Sequence, residues 1–152
     1  THLPKSIGEL GQLTVLTLFD NQLKSLPESI GSLSQLSRLN VSSNQLESIP
    51  ESVGNIERLT ELALDSNQLT GLPESIGNLK ALNFLDIASN KIGKLPATLG
   101  NLQNLYSFHA EHNRLTHLPE ALCDKKGIVS IYDNPLTKKV FNSKCNKAKQ
   151  KN

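Results

Sequence analysis

The chain has 152 residues, 37% of them hydrophobic and only 4% aromatic, with no Trp and no Met. That length is enough for one domain with its own core, and that composition excludes a core of aromatic slabs and leaves Leu and Ile to build it. The net charge of +2 conceals an asymmetry: residues 1–123 carry 8 Lys and Arg against 12 Asp and Glu, a balance of −4, and residues 124–152 carry 8 Lys against two Asp, a balance of +6.

The opening stretch "THLPKSIGEL" has neither a basic n-region nor a continuous apolar h-region, and no apolar run anywhere approaches the eighteen or so residues of a bilayer-spanning helix. The chain starts in mid-pattern without Met. Further repeats or a cap are therefore expected to precede Thr1, or else the open edge stands free or pairs with a second copy.

From Leu13 onward the chain repeats. Asn21, Asn44, Asn67, Asn90 and Asn113 recur every 23 residues, as do Pro4, Pro27, Pro50, Pro73, Pro96 and Pro119. The copies read "LTVLTLFDNQL" from Leu13, "LSRLNVSSNQL" from Leu36, "LTELALDSNQL" from Leu59, "LNFLDIASNKI" from Leu82 and "LYSFHAEHNRL" from Leu105. A degenerate sixth, "KGIVSIYDNPL" from Lys126, follows after 21 residues and ends on Asn134. Apolar fourth and sixth places alternating with outward third, fifth and seventh places predict a short strand with one buried face. The Asn at the ninth place offers donors and an acceptor to backbone groups of its own turn and of the adjoining repeat, so Asn21, Asn44, Asn67, Asn90, Asn113 and Asn134 are expected to form a structural ladder. In the second half of a copy, such as "LPESIGNLKAL", Pro is expected to start a helical turn, Glu to sit near its positive end and Gly to end it.

This pattern resembles the leucine-rich repeat, L-x-x-L-x-L-x-x-N-x-L, over residues 1 to about 136. The resemblance implies an α/β repeat solenoid: a right-handed arc with a concave parallel β-sheet and short helical or 3-10 turns on the convex side. It divides the chain into a solenoid at 1–136, a capping segment at 137–145 that includes Val140 and Phe141, and a basic disordered tail at 146–152. The subtype is similar to intracellular Ras-group proteins, Ras-suppressor-like scaffolds and bacterial leucine-rich-repeat effectors. Those relatives imply a non-catalytic protein-binding module, a signalling scaffold or an effector, in the cytoplasm or in a host-cell cytosol. Extracellular members carry cysteine-rich caps, whereas this chain has only Cys123 and Cys145, which a disulfide could join in an oxidising compartment and which are by default expected to be reduced thiols. The sequon at Asn40 to Ser42 would put a glycan on the concave face and is taken as chance.

The stretch "FHAEHNRLTH", residues 108–117, holds three of the four histidines. His109 and Glu111 share the outward side of one strand, His112 stands at its lip and His117 lies beyond the turn, so they do not converge on a metal. Asp86, His109 and Ser130 fall in one row in hydrolase order, but an exposed sheet supplies no activating elbow, oxyanion donors or dry pocket. No metal, cofactor or catalytic group is expected.

Outward places on the first three repeats are mostly small or polar, with Phe19 and Arg38 as exceptions, and Glu61 is counted with them on the candidate face. Repeats four to six present Phe84, Tyr106, Ile128 and Tyr132 around Asp86, His109 and Glu111. Aromatic anchors within a polar rim mark a docking surface, so another protein is the expected partner, bound on the concave face, with the chain a monomer or a dimer through its N-terminal edge. The alternative is an electrostatic binder of nucleic acid or anionic membrane through the Lys-rich C-terminal tail. It is disfavoured because that tail has no interleaved aromatics and no amphipathic face.

Overall fold

The computed structural model describes residues 2–123 and 127–136. The expected cap with Val140 and Phe141, the basic tail and the thiol of Cys145 lie outside the described residues. Among the described residues six three-residue strands follow the repeats, the first five starting 23 residues apart and the sixth after 21: β1 Val15–Thr17, β2 Arg38–Asn40, β3 Glu61–Ala63, β4 Phe84–Asp86, β5 Ser107–His109 and β6 Ile128–Ser130. They form one open parallel sheet in chain order. Its register matches the repeats place for place, so that Leu16, Leu39, Leu62, Leu85, Phe108 and Val129 lie side by side. Strands contact neighbouring strands and turns contact neighbouring turns. The chain is therefore a solenoid arc with the sheet on its concave side.

The central residue of each inner strand points into the core: Leu39, Leu62, Leu85 and Phe108 are all buried. Around them a continuous column of Leu, Ile and Val runs the length of the coil, each repeat covering the apolar side of the next. Leu16 and Leu18 point inward too, but they are only partly buried, because β1 has a strand on one side alone.

The outer side carries five 3-10 helices of five residues each, Lys5–Glu9, Glu28–Ser32, Glu51–Asn55, Glu74–Asn78 and Ala97–Asn101, then a single α-helical turn at Glu120–Cys123. Proline precedes each 3-10 segment in extended conformation, and its carbonyl accepts the first turn bond, as Pro50 O does from Val53 N–H at 3.1 Å. The segment closes at the following Leu or Ile, whose N–H bonds three residues back. Glycine therefore does not terminate the turn, contrary to the sequence expectation. It is the fourth of the five residues, and its function is closeness. A Cβ on Gly54 would lie 2.5 Å from Ser75 O and 2.6 Å from Ser75 Cβ, so only glycine lets consecutive turns stack this tightly.

A second set of hydrogen bonds links these turns, interrupted at Ser52, whose buried Oγ has no partner among the described residues. Ser29 Oγ donates to Lys5 O at 2.6 Å, Ser75 Oγ to Glu51 O at 2.6 Å and Thr98 Oγ1 to Glu74 O at 2.8 Å, each hydroxyl tying its turn to the preceding one. The asparagine column does the same at the end of the strands. Asn67 Nδ2 donates to Leu64 O and Asp65 O in its own turn and to Val41 O of the repeat before, while its Oδ1 accepts Leu46 N–H at 3.0 Å. Asn44, Asn90, Asn113 and Asn134 repeat this four-bond arrangement. Asn21 is exposed and bonds Leu18 O and Phe19 O of its own turn.

Two pairs of substitutions separate these constraints. Asn67→Ala strands buried backbone groups and should cost about 1–3 kcal/mol in chemical denaturation, whereas Asn21→Ala, on an exposed turn, should cost clearly less. Equal losses would remove the ladder from the account. Gly54→Ala should lower the melting temperature through its clash with Ser75, while Gly71→Ala, which meets nothing within 4 Å, should be neutral or stabilise by about 0.4–1 kcal/mol through the unfolded chain.

Candidate binding face

Because the register never slips, each outward place of the repeat becomes a row across the sheet, with neighbours about 4.8 Å apart. The third-place row is Val15, Arg38, Glu61, Phe84, Ser107 and Ile128, and the fifth is Thr17, Asn40, Ala63, Asp86, His109 and Ser130. Phe19, Ser42, Asp65, Ala88, Glu111 and Tyr132 follow two residues later, just past the strands.

At the N-terminal end Phe19 stands exposed, and Arg38 Nε meets Glu61 Oε1 at 3.1 Å. Both partners of that pair are well exposed, so it contributes little to stability. The C-terminal end is different. Phe84 is half-buried and its ring lies 5.7 Å from that of His109, tilted by 42°. Tyr106 is 64% exposed, although chain economy would bury an aromatic. Phe84 and Tyr106, with Glu61, Asn83 and Ser107, line an open depression of about 550 Å³. Ile128 and Tyr132 are exposed on the last described repeat, and Tyr132 meets His112 edge-on at 5.2 Å. His112 Nδ1 lies 3.1 Å from Asp133 Oδ2. His117 bonds Thr116 in the connection beyond.

His109 is held within its own strand. Ser107 Oγ lies 2.9 Å from its Nε2, and Glu111 Oε1 lies 3.7 Å from its Nδ1. The row partner Ser130, which the sequence offered as part of a triad, is not the hydroxyl that meets this imidazole; Ser107 is, and the signal for it was the i, i+2 spacing along one strand face. A hydroxyl, an imidazole and a carboxylate in this order have the outline of an acyl-transfer relay. The amides beside them are already committed, however: Ser107 N–H donates to Asn83 O and Ala110 N–H to Ser130 O, so neither is free to hold an oxyanion. What the three groups do is fix the imidazole ring on the face. No group of three or more His, Cys, Asp or Glu side chains is arranged to hold a metal among the described residues.

Asp86 sits beside this ring. Its Oδ1 accepts Ala88 N–H at 2.9 Å, the bond that Asn40 Oδ1 makes to Ser42 N–H at 3.0 Å two repeats earlier. Burial raises the Asp86 carboxyl above its ordinary value of 3.8, and the nearby carboxylates of Asp65 and Glu111 push the same way, against the Ala88 amide and His109. Asp65 Oδ1 accepts Ser42 Oγ–H. Glu111 Oε2 is out of solvent and has no hydrogen-bond partner among the described residues.

Comparison with known proteins places this geometry. A family model described as leucine-rich repeat region matches residues 1–68, and another described as leucine rich repeat matches residues 57–115. A leucine-rich-repeat protein of Leptospira interrogans is 34% identical with a TM-score of 0.86, covering 91% of this chain and 36% of its own. An internalin of Listeria monocytogenes shares the fold, with 24% identity, a TM-score of 0.80 and coverage of 93% of this chain and 41% of its own. The Arabidopsis receptor kinase HAESA, solved with the peptide hormone IDA and the co-receptor SERK1, is 34% identical with a TM-score of 0.77, covering 88% of this chain and 23% of its own. The chain thus spans about a third to two fifths of the first two proteins. No curated protein sequence matches significantly.

The Asp86 carboxyl generates a pH prediction. A carboxyl raised by folding favours the folded state most where it is protonated, below the ordinary carboxylate range, and that contribution is lost as pH rises through its raised value. Asp86→Asn keeps an oxygen for Ala88, as Asn40 does for Ser42, and abolishes the charge. The variant should melt higher than the parent at pH 7 and lose that advantage by about pH 3, where the parent carboxyl is itself protonated. A variant less stable than the parent at pH 7 would show that the charge is stabilised where it sits.

Proposed function

The chain belongs to the leucine-rich repeat family, and on that premise we propose that the concave face of repeats four to six docks a partner protein without catalysis. Leucine-rich repeat solenoids are protein-interaction modules, and HAESA is one whose structure holds a peptide and a co-receptor. One observation carries the assignment to this end of the face. Phe84 and Tyr106 flank an open depression, and Tyr106 is exposed in a chain that has only four Phe and two Tyr. Exposed aromatic side chains within a polar rim are the usual anchors of an interface. Asp86, His109 and Glu111 supply that rim, with Ile128 and Tyr132 continuing it to the last described strand. Phe19, Arg38 and Glu61 extend the same face toward its other end, where the rows are otherwise small or polar.

Cross-strand packing alone gives aromatic neighbours about 0.2–1 kcal/mol, and it accounts for Phe84, whose ring is half-buried against His109. It does not account for Tyr106, most of whose surface is left in water.

The assignment is tested by comparative capture from candidate lysates with parent protein, with Phe84→Ala, Tyr106→Ala and His109→Ala, and with Glu57→Ala, exposed in the turn between the helix Glu51–Asn55 and β3, as control. Circular dichroism checks that each variant is folded. The partner is the protein that the face variants lose and the control retains, with losses of about 2 kcal/mol or more at an anchor. Loss with Glu57→Ala, or none with all three face variants, would move the site off the concave sheet. Raising salt from about 50 to 200 mM separates the tail reading, because a phosphate-driven complex weakens steeply over that range and a sheet-face contact does not.

A further inference from the structure

Resting on the concave-face assignment, we infer that the segment docked there is extended and cationic: a stretch of the partner that sets an apolar side chain against Phe84 and Tyr106 and, two residues on, a Lys or Arg against Asp86 and Glu111. The first support is the charge of the face. Its outward rows carry Glu61, Asp65, Asp86 and Glu111 against one permanent cation, Arg38, and that cation is engaged by Glu61. Asp65, Asp86 and Glu111 are left with His109 between them.

The second support is incomplete satisfaction. Glu111 Oε2 is withdrawn from solvent with no hydrogen-bond partner among the described residues, although Oε1 of the same carboxylate faces His109. The Asp86 carboxyl, half out of water and repelled by Asp65 and Glu111, is held in its neutral form to higher pH than usual. A buried or half-buried carboxylate is costly, and an ammonium or guanidinium set over the accessible part of this pair would offset that cost through its charge without having to reach the enclosed Oε2.

The third support is spacing. Phe84 and Asp86 are alternate residues on one face of β4, roughly 6.6 Å apart, the distance between side chains i and i+2 of an extended segment lying along it. The depression beside Phe84 is open enough for an aliphatic side chain, and Glu61 on its rim adds a further carboxylate. An acidic segment would meet like charge at both ends of the patch, so the arrangement selects against it as well as for a basic one.

The probe is a fluorescein-labelled hexapeptide of alternating Leu and Lys, with the Leu–Glu hexapeptide as control, titrated against the full chain by fluorescence anisotropy. The parent should bind the Lys peptide and not the Glu peptide. Asp86→Asn combined with Glu111→Gln should weaken the Lys peptide by about tenfold or more, while Glu57→Gln, which removes one charge away from the face, should leave Kd unchanged. Melting temperatures confirm folding, and Asn40 already occupies the fifth place in β2.

No binding by the parent, or equal Kd for the doubly neutralised variant, would overturn the cationic assignment. In that event Phe84→Ala decides the concave-face reading separately: reduced capture of the natural partner leaves the face standing with a ligand of other chemistry, and unchanged capture removes both. The chain's own basic end is the competing occupant. If neutralising Lys144, Lys147, Lys149 and Lys151 to Gln tightened the Lys peptide by tenfold or more, the face would be filled in cis, and the partner assignment would be replaced by the tail.

Discussion

Every repeat must turn a sharp corner after its strand, and the structure depends on how that corner is satisfied. The residue before each ladder asparagine, Asp20, Ser43, Ser66, Ser89, His112 and Asp133 in turn, adopts left-handed backbone with φ between 52 and 56°. For a residue with a Cβ that conformation costs roughly 1–2 kcal/mol, and the protein accepts it six times. The corner folds the next side chain back under the chain, where the amide of Asn44, Asn67, Asn90 or Asn113 reaches two carbonyls of its own turn and one of the preceding repeat. Its oxygen takes an N–H of the preceding repeat as well. Strain at one residue is thereby offset by four hydrogen bonds at the next, and two of the four cross the repeat boundary.

That crossing links the corner to the binding face. A three-residue parallel strand has few ladder bonds of its own, and a one-residue slip would carry its apolar set to the wrong side. The asparagine column fixes register at one end of the strands, and the Ser and Thr hydroxyls fix it on the outer turns. Between two pinned edges the outward places vary from repeat to repeat, and only local links such as Ser42 Oγ to Asp65 Oδ1 and Arg38 to Glu61 join them across the boundary. Phe84, Asp86 and His109 can therefore be set by what binds the face.

Much of this was legible in the sequence because a strict period of 23 converts columns of letters into rows of neighbours. The strands, their parallel order, their facing rows and the outer turns all follow from that period and from the placement of Leu, Asn and Pro. The turn glycine was misread. Its signal, a Gly after apolar residues, is that of a helix end, and only the packed turns reveal that Ser52, Ser75 and Thr98 of the next repeat would collide with any side chain there. The hydroxyl bonds were visible in principle as a Ser or Thr at a fixed place in "ESIG" and "ATLG", but polar residues on a turn carry no direction until the turns are stacked, and Ser52 at the same place in "ESVG" makes no such bond. The hydroxyl that meets His109 was likewise hidden. Strand neighbours across the sheet favoured Ser130, and side-chain reach along one strand favoured Ser107. The cap and tail, on which the Lys-rich end was weighed, lie outside the described residues.

The fifth place shows how one frame accommodates opposite chemistries. At Asn40 and at Asp86 the same oxygen accepts the same amide two residues on, so the backbone cannot distinguish them. Asn makes this bond as a neutral group. Asp makes it while burying part of a charge beside two other carboxylates, at a position where the frame gains nothing from that charge. A residue that serves the scaffold equally well as a neutral amide, yet carries a carboxyl beside the half-buried Phe84 ring, is what the proposed docking surface calls for. The same contrast holds between Ala88 and Glu111 at the seventh place, where the fold accepts a methyl in one repeat and a carboxylate with an unpaired oxygen in the next. These two departures from the cheapest residue stand on β4 and just past β5, beside Phe84 and His109, at the end of the sheet to which the proposed docking surface is assigned.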